Sequence, residues 1–178
     1  KVTVAGIGKT YQATVVGSDQ TADVALLQLQ NASGLNTVKI DNDKTSVGDK
    51  VTAVGNAGGT GTLTAARGKV VSLKASITTA AEGPVASETL RAMIETTADV
   101  VSGDSGGPLF DNDGEVVGID TAASSGREIN GYAVPVQRAL GIVQQIRSGK
   151  ESSTVRVGPA PFLGVELSDA SSSEFGYP

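Results

Sequence analysis

The chain contains no cysteine, no histidine and no tryptophan among its 178 residues. Without cysteine there can be no disulfide, no thiol nucleophile and no zinc-thiolate site. Without histidine the commonest general base is missing from any reaction these residues attempt alone. Aromatic residues are scarce, with three Phe and three Tyr, so Val, Ile, Leu and Ala must fill the core. No run approaches 18 consecutive apolar residues, which excludes a membrane-spanning helix. The 14 Lys and Arg are scattered and outnumbered by 19 Asp and Glu, for a net charge of −5. Nucleic-acid binding needs a basic face or stripe, and none can be drawn here. Nor does the chain begin with Met. Lys1 opens directly into the alternating run Lys1-Val2-Thr3-Val4. The expectation is that further residues precede it, carrying any export signal or membrane anchor.

What is present in quantity is short Val-, Ile- and Thr-rich runs divided by Gly, Asn and Asp, the pattern of an all-β domain. Strands are predicted at 2–5, 10–17, 24–30, 50–55, 62–73, 92–97, 107–110, 115–121 and 131–135. Asp111-Asn112-Asp113-Gly114, set between two apolar runs, predicts a hairpin rather than a calcium loop. The glycines at 58, 59 and 61 fail the phosphate-loop pattern, because Val70 follows Lys69 where Ser or Thr is required. One segment changes period. Val136, Ala139, Leu140, Val143 and Ile146 fall on one helical face between Pro135 and Gly149.

Gly103-Asp104-Ser105-Gly106-Gly107-Pro108 carries the chemistry. It reads as a serine in a tight glycine-rich turn, and a serine hydroxyl becomes a nucleophile only when a base takes its proton. Three more segments accompany it in order: Asp23-Val24-Ala25-Leu26-Leu27-Gln28-Leu29 and then Gly55-Asn56 before it, and Gly131-Tyr132-Ala133-Val134-Pro135 after it. Together these resemble the chymotrypsin-fold serine proteases of the HtrA (Deg) type, most closely the exported actinobacterial PepA-like members. The resemblance runs from about residue 1 to 167. It implies two antiparallel six-stranded β-barrels and one C-terminal helix, with the N-terminal barrel incomplete.

The resemblance assigns Ser105 as nucleophile and Asp23 as the acid that orients the imidazole. It places the histidine upstream of Lys1, and it gives the oxyanion hole to the backbone N–H groups of Gly103 and Ser105. Substrate backbone would add as a strand beside Ile119-Asp120-Thr121-Ala122-Ala123-Ser124, with Thr121, Ala122 and Ala123 as its binding residues and the side-chain pocket between that segment, Ala133 and residues 99–102. Asp99 lies six residues before Ser105, where trypsin-type enzymes hold a carboxylate for Arg or Lys. HtrA-type enzymes usually have a small residue there. Asp104 stands where many HtrA-type proteins have Asn, and its partner cannot be read from the sequence.

Phe162-Leu163-Gly164-Val165 resembles the first strand of the PDZ domain that follows the protease domain in this family. The expected layout is a protease domain over 1–150, a linker over 151–160 and the start of a truncated PDZ domain over 161–178. The implied function is endopeptidase action on exported or misfolded polypeptides, outside the cytoplasm. No cofactor or metal is expected, and this chain alone should be inert. A membrane anchor or a trimer would belong to the full-length protein. The alternative is a protease-fold module that binds unfolded polypeptides without cutting them.

Overall fold

The structure is a computed structural model that describes residues 1–78, 89–123 and 130–159. The first half runs β1 (Val2–Val4), β2 (Lys9–Tyr11), β3 (Ala13–Asp19), β4 (Val24–Leu29), β5 (Lys39–Ile40) and β6 (Lys50–Gly55). There follow β7 (Thr64–Thr78), β8 (Thr89–Thr96), β9 (Pro108–Phe110), β10 (Glu115–Ala123), β11 (Gly131–Pro135), α1 (Val136–Arg147) and β12 (Val155–Val157).

Alternation sets the inner face of the strands. In β6 Val51, Ala53 and Gly55 are buried while Lys50 is exposed and Thr52 and Val54 are half-buried. Side chains two apart share one face of a strand, so this pattern commits one side to a core. That core gathers Val51, Ala53, Val70, Ile94, Leu109, Val117 and Ala133. It lies inside a hydrogen-bonded ring of six antiparallel strands, β11–β8–β7–β6–β9–β10, which returns from β10 to β11. β5 adds to the outside of β10 in parallel.

The N-terminal half is built differently. Among the described residues it is a three-stranded sheet, β12–β3–β4, and a separate β1–β2 hairpin. The single strand expected over 10–17 is interrupted at Gln12, and its two parts join different sheets. The two-residue β5 and three-residue β12 are too short to show a period, and tertiary pairing alone defines them. β12 lies within 151–160 and pairs Val155 with Asp19 of β3. The PDZ-like start at 161–178 lies outside the described residues.

Helix α1 forms where the apolar stripe predicts it and ends in a glycine cap. Gly149 adopts φ +71°, its N–H bonds to the Ile146 carbonyl, and Lys150 N–H bonds to the Gln145 carbonyl. The helix packs on β3, β4, β10 and β12, tying the two halves together. A second core cluster sits at that junction, where Ala22 and Val24 meet Leu90, Met93, Val134 and Ala139. Asp23 lies between its first two members.

Candidate active site

The serine turn is fastened on three sides. Gly103 has φ +100°, and a Cβ there would overlap the carbonyl of Asn56, so only glycine fits. The loop that begins at Asn56 supports the turn directly. Gly58 N–H donates to the Ser102 carbonyl at 2.8 Å and Asn56 N–H to the Gly103 carbonyl at 3.3 Å. Gly58 therefore buttresses the serine turn. Within the turn, Gly107 N–H bonds to the Asp104 carbonyl at 2.8 Å, and the Asp104 carboxylate accepts Val101 N–H at 3.0 Å. From β10, Asp120 clamps the far side. Its carbonyl accepts Gly106 N–H at 2.7 Å and its N–H donates to the Gly107 carbonyl at 2.8 Å. Among the described residues the N–H groups of Gly103 and Ser105 donate to nothing. Both residues are exposed, so these two amides are open to solvent.

Asp23 is held by a local device. Residues 20–22 form one 3₁₀ turn capped by Asp19, whose Oδ1 accepts Ala22 N–H at 3.2 Å and the Thr21 hydroxyl at 2.7 Å. Asp23 ends this turn in the left-handed conformation, φ 54° and ψ 47°, with its N–H on the Gln20 carbonyl. Its exposed carboxylate accepts the hydroxyl of Thr121.

Thr121 joins the two predicted groups. Asp120 pairs with Ala133 and Ala122 with Tyr132, leaving Thr121 as the extra residue of a β-bulge. A bulge bends the strand and re-aims the side chain it carries. Here the Thr121 hydroxyl turns to Asp23, while its carbonyl accepts the Ser105 hydroxyl at 2.9 Å. The structure thus brings Ser105, Asp23 and Thr121 together, and Thr121 contacts Asp23 as well as lying on the expected substrate strand. An amide carbonyl accepts a hydrogen bond but cannot take the proton, so Ser105 is positioned and not activated by these contacts.

The remaining expected residues divide. Ala122 and Ala123 continue β10 opposite Tyr132 and Gly131. Ala133 is fully buried in the ring core. Asp99 is exposed, and its carboxylate has no partner among the described residues. Asp120 lies in the expected substrate strand, but sequence reasoning misses its carboxyl as part of the site, although a carboxylate ending the apolar run Val116-Val117-Gly118-Ile119 is itself a signal. It is buried beside Asp104, and burial, then the Asp104 charge, pushes its carboxyl up to about 7. Away from the site, Asp41, Asp111 and Glu115 bring carboxylate oxygens within 4.8 Å of one another. Asp111 Oδ1 already accepts the N–H groups of Asp113 and Glu115, and Asp41 Oδ1 accepts that of Asp43, which is turn capping.

Comparison with known proteins matches this geometry to a family. The family model of the trypsin-like peptidase domain matches residues 2–119. This chain belongs to the trypsin-like peptidases. Its relatives include the periplasmic pH-dependent serine endoprotease DegQ of Escherichia coli, 40% identical over 165 residues that cover 90% of this chain and 34% of DegQ. The periplasmic serine endoprotease DegP of E. coli is 35% identical over 164 residues, covering 90% of this chain and 32% of DegP. The chain thus spans about a third of the curated relatives it matches. Among solved structures, the MamO protease domain of Magnetospirillum magneticum is similar, with TM-score 0.62, 26% identity and coverage of 75% of this chain and 68% of that one. Rv3671c of M. tuberculosis, in an inactive mutant form, has the same TM-score and identity, and the match covers 82% of this chain and 69% of that one. Within the trypsin-like peptidase fold, Ser105 lies in the glycine-rich turn before β9 and Asp23 immediately precedes β4, and both contact Thr121 of β10.

Proposed function

We propose that this chain is the serine-bearing part of an endopeptidase that hydrolyses peptide bonds of polypeptides outside the cytoplasm. The observation that carries this reading is the meeting of Asp23 and Ser105 at Thr121, beside the two free amides of the serine turn. The relatives named periplasmic serine endoproteases support both the chemistry and the location.

In this reading an imidazole from another part of the full-length protein stands between Asp23 and Ser105. Asp23 fixes its tautomer and orientation. Ser105 Oγ transfers its proton to the imidazole as it attacks the scissile carbonyl, and the imidazole returns that proton to the leaving amine. The amides of Gly103 and Ser105 stabilise the tetrahedral oxyanion, and water then releases the acyl group. Substrate backbone lies along β10 at 121–123, and Asp99 favours a basic side chain before the cleaved bond. Faster hydrolysis of Arg than of Val at that position checks the assignment of Asp99, and equal rates contradict it.

The test is hydrolysis of an unfolded polypeptide by the full-length protein and its Ser105→Ala variant. A loss of about 10⁶ in kcat is expected, the usual cost of removing the nucleophile from a serine protease triad. Because the Ser105 hydroxyl is bound to a backbone carbonyl, a second reading has a footing: a cleft that binds unfolded chains without cutting them. Tight binding by both proteins with cleavage by neither selects that reading.

A further inference from the structure

Two buried carboxylates flank the serine turn, and each has one oxygen without a hydrogen-bond partner: Asp104 Oδ1 and Asp120 Oδ2. Asp104 is 5% exposed and Asp120 1%. The second Asp104 oxygen is held by Val101 N–H. A buried carboxylate oxygen with no donor is costly, and two like charges in one site cannot both persist cheaply.

Among the described residues the surroundings supply no cation. The turn contributes Asp104 itself, and β6 contributes Gly55, where any Cβ would overlap the Asp104 carboxylate. The 3₁₀ turn contributes Asp23, reached through Thr121. Across the sheet β11 contributes the methyl of Ala133, and one step further Tyr132, whose hydroxyl is bound to Glu95 of β8. Among the described residues no Lys or Arg pairs with either carboxylate.

We propose that Asp104 and Asp120 share one proton, carried on Asp120 and donated to Asp104, and that this acid–carboxylate pair fastens the Ser105 turn to β10. One proton meets both needs at once. It makes the orphan oxygen of Asp120 a donor and gives the orphan oxygen of Asp104 its hydrogen bond. The pair completes the backbone clamp that Asp120 already makes on Gly106 and Gly107, and so acts on Ser105 by positioning it. The raised pKa of Asp120, near 7, is in keeping with a proton retained over the acidic range.

The sign follows from linkage. Between its ordinary value of 3.8 and about 7, Asp120 binds a proton in the folded protein but not in the unfolded one. Its contribution to stability is therefore fully present at low pH and is lost as pH rises through about 7, where two neighbouring negative charges loosen the turn.

The shared proton stands independently of the proposed hydrolysis, whereas its effect on Ser105 reactivity rests on that reading. The experiment follows aspartate side-chain ¹³C resonances of the full-length protein against pH, alongside the rate at which a fluorophosphonate labels Ser105. One Asp carboxyl is expected to titrate near 7 and to be absent in Asp120→Asn. In Asp104→Asn the new amide donates to Asp120, and its midpoint should fall by about a unit or more. Asp120→Asn carries a permanent N–H donor, so its labelling rate at pH 9 relative to pH 6 should exceed the wild-type ratio several-fold. A midpoint in the ordinary carboxylate range, or one unmoved by Asp104→Asn, overturns the proposal. If no protein is labelled at any pH the peptidase reading fails, and the midpoints alone still decide whether the proton is shared.

Discussion

The two halves of the molecule hold their parts of the site by different means. Ser105 and Gly103 stand on a ring of strands whose hydrogen bonding closes on itself, around a core in which Leu109, Ala133 and Ala98 are fully buried. Asp23 stands on a three-stranded sheet whose outer strands, β4 and β12, each have one edge unpaired among the described residues. Leu27 and Val15, cross-strand neighbours in that sheet, are 47% and 42% exposed. The serine side thus inherits its geometry from a whole sheet, while the acid side depends on a short turn and one carboxylate cap. The lesson is that a group on a weak scaffold can still be placed accurately when its immediate neighbours are buried and capped, as Ala22, Val24 and Asp19 are.

The largest effect should come from cores of unequal depth. Leu109→Ala should destabilise the protein by about 2–5 kcal/mol, because it leaves a cavity in the closed ring. Leu27→Ala, on the open sheet, should stay within about 0.5 kcal/mol. Denaturant titration of both variants checks this, and equal losses would break the contrast.

Next in size is an effect on reactivity. Gly103→Ala would place a methyl on the Asn56 carbonyl and strain a positive φ, displacing one of the two proposed oxyanion donors. Fluorophosphonate labelling of the full-length protein should slow by about 10²–10³-fold, the usual cost of losing one such donor. Labelling at the wild-type rate would mean that this amide does not face the reacting carbonyl.

A smaller effect sharpens the same contrast from the other side. The Asp19 carboxylate accepts the hydroxyls of Thr21 and Thr154 and the N–H of Ala22, so it couples β12 to the turn that carries Asp23. Asp19→Ala should cost about 1–2 kcal/mol as a lost cap and slow labelling about tenfold. If stability falls but labelling does not, the acid is held by something other than its cap.

These contrasts also explain what is legible in the sequence. The serine turn, the acid strand and the helix each have a local signature: a hexapeptide, an apolar run behind Asp23, and a stripe of 3.6-residue period. β12 has none, since three residues show no period and only pairing with β3 makes them a strand. Thr121 reads from the sequence as a substrate-strand residue alone, because a bulge is a property of two strands laid together. Asp104 shows as a carboxylate without a visible partner. Its neighbour, Asp120, becomes apparent only when β10 lies against the turn.

The central proposal is that Ser105 acts as nucleophile and Asp23 as orienting acid, with the base that activates Ser105 supplied from outside these 178 residues. Intact mass spectrometry after fluorophosphonate treatment tests it most directly, run on the full-length protein and on the 178-residue chain in parallel. One adduct on Ser105 in the full-length protein and none on the shorter chain is the predicted result. An adduct forming on the shorter chain at a comparable rate, or none on the full-length protein, would contradict it.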